Sequence, residues 1–546
     1  MAKRCPPTIY PDRTSGSEPV SDPILAGSGI QANVVPGFRL PYQRIVAVGA
    51  DLAQAQAIVR HLLPWVTPAA RAAAYHERRI EKAKTLRVFG RESFRAVEAG
   101  SALRWLNIAV GAEPLAQAGF QGPGRTDRSF GLGLARRSSS LGDPSTLGAP
   151  GHKDGWLVGA PSAPVALLLI LGSDEAEELA RFADSTEKEC RRAGGAVLYA
   201  ETGVRLDNDS EHFGFRDGVS QPGLRGRLSP AEDDLLTPRR LAPDGLSEGP
   251  EFSAPGEVLV WPGEFIFGYP RQDAHDFRTS ASEGPVDPFM SGGSFLVFRR
   301  LRQHVALFRQ ATRTLAESLR AYSDYAGASD DWLRARLVGR WPSGAPILLY
   351  PDDDPGTPPG SLDAFNNFGF REAAAAVTTT TGEPIPGAPG DPMGLVCPLH
   401  AHIRKVNPRD TSTNLGPPSQ TQKLRLLRRG IPYGTPIAPD AVDEDGVDRG
   451  LLFLSYQRSI REQFEKLAQD WMNSDIKPEA DGGHDVLVGQ APLSKEGRTA
   501  VFRKAAGSTS RRVSTLADWV TPTGGGYFFA PSLASLAAFA GNQTEV

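Results

Sequence analysis

Cysteine is nearly absent from this chain of 546 residues: Cys5, Cys190 and Cys397 are the only three. Thiols so widely spaced make no disulfide framework and no Cys-x-x-Cys zinc site. They do not call for an oxidising compartment, and a reducing one is permitted. Long apolar runs are also missing. No window approaches the ~18 uninterrupted apolar residues of a membrane span. The longest run, 163–172, has the length of a buried strand. The N-terminus, Met1-Ala-Lys-Arg-Cys, has two basic residues but no apolar stretch of signal-peptide length before the polar segment 12–22. A cytoplasmic protein without a membrane anchor is the expectation. Neither sign of charge is in excess: 60 Lys and Arg face 63 Asp and Glu, a formal net charge of −3. No nucleic-acid or other polyanionic partner is expected from that balance.

What is present points to a folded α+β protein. Hydrophobic residues make up 40% of the chain, enough for a globular core rather than disorder. The length exceeds one core, so two domains with insertions are expected. Residues 44–50 read as a strand, followed by a helix at 52–63 capped by Asp51. Strands follow at 104–110 and 165–171, then a helix capped by Ser173-Asp174 and running to Arg192, then a strand at 196–200. The order is β-α-β-β-α-β. It recurs as a strand at 294–298, a helix at 301–322, strands at 400–405 and 450–456, a helix at 459–472 and a strand at 526–530. Two tandem ferredoxin-like domains with antiparallel sheets and long insertions are therefore predicted. Their expected bounds are a tail at 1–35, a first domain at 36–224, a Pro, Asp and Gly-rich linker at 225–256 and a second domain at 257–546.

Three groups stand out chemically. Asp217 lies in Glu211-His-Phe-Gly-Phe-Arg-Asp-Gly-Val-Ser-Gln-Pro222. Asp-Gly alone is a turn dipeptide. Here Gly214 and Gly218 permit close backbone approach to a flat ligand, and Phe213 and Phe215 supply aromatic surface. A carboxylate in such surroundings, beside a cation, can shuttle a proton. The second group is the imidazole pair His400 and His402 in Cys397-Pro-Leu-His-Ala-His-Ile-Arg-Lys405. Strand alternation would put both on one face with Arg404, and the pattern alone leaves the choice open. No carboxylate follows at short spacing, so a facial triad is not supported. The third is Arg428-Arg429, in a basic run before Gly430-Ile-Pro-Tyr433. An always-charged planar donor suits a developing oxyanion.

An acid, an imidazole and a guanidinium in this order resemble the dye-decolourising (DyP-type) peroxidases. Glu264-Phe-Ile-Phe-Gly-Tyr, Gly292-Gly-Ser-Phe-Leu-Val-Phe-Arg-Arg, Val338-Gly-Arg-Trp-Pro-Ser-Gly and Gly524-Gly-Gly-Tyr-Phe-Phe-Ala-Pro are also similar to family blocks, and residues 29–34 to its opening strand. The likeness covers roughly 28–535 and suits the larger subgroups. It departs at His400, an extra histidine beside the expected ligand. The resemblance implies one haem b per chain, bound by the second domain, with His402 as the axial ligand of its iron. It implies Asp217 and Arg428 as the pair that cleaves hydrogen peroxide to a ferryl-oxo state, which dyes, phenols and other aromatic donors then reduce. Gly214, Phe215, Gly218, Leu451 and Phe453 would border the cofactor, and Tyr433 would serve as a surface oxidation site. Two other readings share the axial histidine: a haem-handling, deferrochelatase-like protein, and a non-enzymatic haem carrier or sensor. A carrier needs neither Asp217 nor Arg428.

Overall fold

The computed structural model describes residues 29–75, 102–224, 259–273, 280–281, 284–356, 365–378, 384–490 and 497–541. The expected linker at 225–256 lies outside them. Residues 29–35, expected in the tail, instead form a bridge and a turn with Ile30, Val34 and Val35 buried. The Gln31 side-chain amide holds this segment down, donating to the carbonyls of Ile108 and Pro531 at 2.8 Å each.

The first unit runs β1 (Tyr42–Gly49), α1 (Leu52–Leu62), β2 (Trp105–Val110), β3 (Leu167–Ser173), α2 (Ala176–Arg192) and β4 (Ala196–Val204). Its strands lie antiparallel in the order β4-β1-β3-β2. Helix α1 starts where expected, because Asp51 and Gln54 form a reciprocal capping box. It buries Ala55, Ile58, Val59 and Leu62, one stripe at helical spacing. Helix α2 departs from expectation at its start. Its N-cap is Glu175, while the Asp174 carboxylate accepts from the Leu103 N–H at 2.8 Å.

The second unit runs β5 (Ser294–Gln303), α3 (Val305–Arg320), α4 (His402–Val406), β6 (Leu427–Arg428), β7 (Ile431–Tyr433), β8 (Gly450–Gln457), two π-helical segments (Ile460–Glu465 and Leu467–Met472) and β9 (Val520–Ala530). Helix α3 begins later than the predicted Leu301, because β5 stays paired with β8 and β9 through Gln303. The segment 400–405 is not a strand. Residues 402–406 form one short helix, and the strand of this position is β6 with β7, broken at Arg429-Gly430.

Both pieces pair with β8, which pairs with β5, which pairs with β9. The two units join edge to edge through single pairs, Tyr433 with Gly203 and Phe529 with Val110, so the strands close on themselves. Alternation divides the strands between two cores. Ile45, Leu168, Ile170, Leu296, Phe298, Leu452 and Leu454 fill the interior. Val46, Leu169, Leu171, Phe295 and Val297 face outward, where helices cover them. Among the described residues no helix is long and apolar enough to cross a membrane.

Leu169 is fully buried between Val46 and Ile108 at the centre of the first unit. Leu169→Ala should cost about 2–5 kcal/mol, read as a lowered denaturant midpoint at unchanged slope.

Candidate active site

Outward alternation continues along β5 past the covering helices, to Arg299, Leu301 and Gln303. Register places Phe453 opposite Arg299 and Leu451 opposite Leu301. These side chains form part of the wall of a cavity of about 350 Å³. More of the wall comes from the 211–222 segment, α4, β6, the π-helical turns and residues 487–490.

Asp217 and Arg428, 211 residues apart in the chain, meet at this cavity. Arg428 Nη1 donates to Asp217 Oδ1 at 3.2 Å and Nη2 to the Ser220 carbonyl at 2.8 Å. Asp217 Oδ1 also accepts the Gly218 N–H at 2.6 Å. Gln221 joins the two segments: its amide exchanges two hydrogen bonds of 3.2 Å with the Arg428 backbone. Arg429 turns the other way and is buried. Its guanidinium donates to the carbonyls of Asn33 at 3.0 Å, Val34 at 2.9 Å and Arg428 at 2.9 Å. Gly37, at φ 96°, has no side chain there because a Cβ would come within 2.5 Å of Arg429 Nε. The structure thus separates two arginines that spacing left equivalent.

The histidines separate as sharply. His400 is fully buried, with Nδ1 3.0 Å from the Val501 carbonyl and 3.1 Å from the Val501 N–H, and its ring edge-to-face with Phe502. Burial pushes its imidazole down to about 3, so it is neutral. It does not line the cavity. His402 does, at the start of α4 with Ile403 and Val406. Its Nδ1–H donates to Asp485 Oδ2 at 2.7 Å. Asp485 is buried, and its other oxygen accepts the N–H groups of Leu487 and Val488. That fixes the tautomer and leaves the Nε2 lone pair available to a metal. Helical geometry, not strand alternation, exposes His402, because Arg404 and Lys405 turn inward. Arg404 pairs with Glu479 at 3.0 Å, and Lys405 Nζ donates to the Ser474 carbonyl at 2.6 Å.

Of the residues expected to border a cofactor, Phe215, Gly218, Leu451 and Phe453 line the cavity. Gly214 is not in its wall; its φ of 97° serves the turn. Tyr433 also differs from expectation. It is 1% exposed, with Arg300 stacked 4.1 Å from its ring and its hydroxyl donating to Asp448 at 3.3 Å. Register with Gly203 turns the ring into the closed core, so it offers no surface for a bulky dye.

Sequence reading missed Asp485, Gln221, Glu211 and the buried Arg299–Asp143 pair. Arg299 Nη2 bridges both Asp143 oxygens at 2.9 and 3.0 Å. Burial drives the Asp143 carboxyl up, against Arg299. Burial also pushes Glu211 up to about 7, opposed by the donors around it. Only Gln221 and Glu211 carried a signal, lying within the run that held Asp217.

Comparison with known proteins decides the family. The C-terminal model of Dyp-type peroxidases matches residues 377–482. The chain is 31% identical to a dye-decolorizing peroxidase of Mycena epipterygia over 438 residues, 76% of this chain and 72% of that one. This chain belongs to the dye-decolourising peroxidases. It is a haem peroxidase, an oxidoreductase of α+β fold. A crystal structure of the DyP-type peroxidase from Auricularia auricula-judae superposes with a TM-score of 0.68 at 25% identity, over 94% of this chain and 99% of that one. A deferrochelatase of Yersinia pestis is 33% identical over 105 residues only, 18% of this chain and 21% of that one.

The residues fit a haem. One imidazole, its Nδ1 anchored by Asp485, meets a largely apolar cavity, and a Cβ built on Gly218 would meet nothing within 4 Å.

The arginines should differ in stability measurements. Arg429→Ala orphans buried carbonyls and should cost about 3 kcal/mol, seen as a lowered Tm. Arg428→Ala, about a third exposed in its side chain, should cost less than about 1 kcal/mol.

Proposed function

We propose that this peroxidase holds one haem b per chain through His402 and that Asp217 with Arg428 cleaves hydrogen peroxide there, for oxidation of dyes, phenols and other aromatic one-electron donors. The observation that carries this reading is one cavity bordered by both the Asp217–Arg428 pair and the Asp485-anchored His402. Haem, when bound, supplies the redox chemistry at its iron.

The protein's part is positioning, proton transfer and charge. Asp485 accepts from Nδ1 and raises the basicity of Nε2 of His402. Asp217 Oδ1 is committed to Gly218 and Arg428, so Oδ2 takes the proton from the near oxygen of the peroxide. It returns that proton to the far oxygen, which leaves as water. Arg428 stabilises the negative charge that grows on the departing oxygen. Its guanidinium is held ready by Ser220 and its backbone by Gln221, so little reorganisation accompanies the step. Leu451 and Phe453 keep the cavity apolar and bar bulky donors from the peroxide.

Stopped-flow mixing of haem-loaded Asp217→Asn with peroxide tests the carboxylate. A loss on the order of 10²–10⁴ in rate constant is expected, with haem content unchanged. A wild-type rate constant would overturn the assignment. For the ligand, His402→Ala should lose the wild-type Soret spectrum, whereas His400→Ala should retain it. The reverse pattern would make His400 the ligand.

A further inference from the structure

We propose that Glu211 is a positioning residue for peroxide cleavage, clamping the turn that leads to Asp217 and latching it through Gln303 to strand β5. The inference rests on the role given to Asp217 above and goes beyond it to what holds Asp217 in place.

Glu211 stands six residues before Asp217 and also lines the cavity. Its carboxylate accepts three donors. Oε1 takes the Phe215 N–H at 2.9 Å, and Oε2 takes the Phe213 N–H at 2.9 Å and the Gln303 side-chain amide. The backbone closes the same turn, Glu211 N–H to the Phe215 carbonyl and Gly214 N–H to the Glu211 carbonyl, both at 2.9 Å. The chain leaves this turn through Arg216 and reaches Asp217, whose N–H donates to the Asp209 carbonyl at 2.9 Å. Gln303 is buried on β5, two residues from Leu301 on the same face. His212 ties the turn on its other side, its Nε2–H donating to the Tyr433 carbonyl at 2.8 Å.

In its ionised form the Glu211 carboxylate accepts from all of these donors at once. A glutamine here keeps one acceptor oxygen and sets its own N–H groups against a backbone N–H. An aspartate keeps the charge but is one methylene short of the reach. Misplacement of a catalytic group by about 1 Å can cost 10²-fold in rate, so release of the turn should be visible in the peroxide step.

The test uses the haem-loaded enzyme and separates two half-reactions by stopped-flow: reaction of resting enzyme with peroxide, and reduction of the peroxide-oxidised enzyme by a phenolic donor. Glu211→Gln is expected to lower the peroxide rate constant about 10–100-fold and to leave the donor step within about twofold. Glu211→Asp should recover only part of the loss. Gln303→Leu, which cuts the latch alone, should slow the peroxide step about 3–10-fold. It serves if Glu211→Gln fails to take up haem. Wild-type peroxide rates in both Glu211→Gln and Gln303→Leu, while Asp217→Asn is slow, would overturn the inference. So would full recovery in Glu211→Asp, which would make charge rather than the clamp the cause, or equal losses in both half-reactions with a fall in Tm. If Asp217→Asn itself reacts at the wild-type rate, the reading under Proposed function fails first.

Discussion

Side-chain alternation along the paired strands β5 and β8 is the constraint on which the site depends. Leu296, Phe298, Leu452 and Leu454 must face the closed interior, where they are fully buried. Once they do, Arg299, Leu301, Gln303, Leu451 and Phe453 face outward and become cavity wall. A slip of one residue would exchange the two sets. Burial of aliphatic side chains in the interior therefore sets the chemistry outside it.

Electrostatics then sorts similar groups. A buried guanidinium without partners costs several kcal/mol, so the buried arginines are spent on structure. Arg429 donates to three backbone carbonyls, Arg299 to Asp143 and Arg404 to Glu479. Arg428 lies at the cavity, partly exposed, with one carboxylate oxygen and one carbonyl as partners. The histidines follow the same rule. His400 is sealed and neutral, while His402 reaches the cavity with its second nitrogen fixed by a buried carboxylate.

Much of the fold was legible in the residues, for stated reasons. The strand of 165–171 was a continuous apolar run because both its faces are covered, and α1 announced itself through Asp51 and its stripe. The segment 400–405 misled because alternation over six residues cannot be told from one helical turn. The strand at 427–433 escaped notice because it is short and broken at Arg429-Gly430. Tyr433 was placed at the surface by likeness, whereas its register against Gly203 buries it.

By itself, the chain determined which chemical groups are present and their order: a carboxylate between glycines, then histidines, then arginines. Local pattern also settled most strands and helices, since periodicity and caps act over a few residues. Only the tertiary structure decided which histidine and which arginine face the cavity, and that Asp485, Gln221 and Glu211 hold the groups around it. Those choices turn on contacts between segments up to some 400 residues apart, such as Arg429 with Asn33. Spacing along a chain does not report such contacts. Burial and hydrogen-bond satisfaction in the folded chain do.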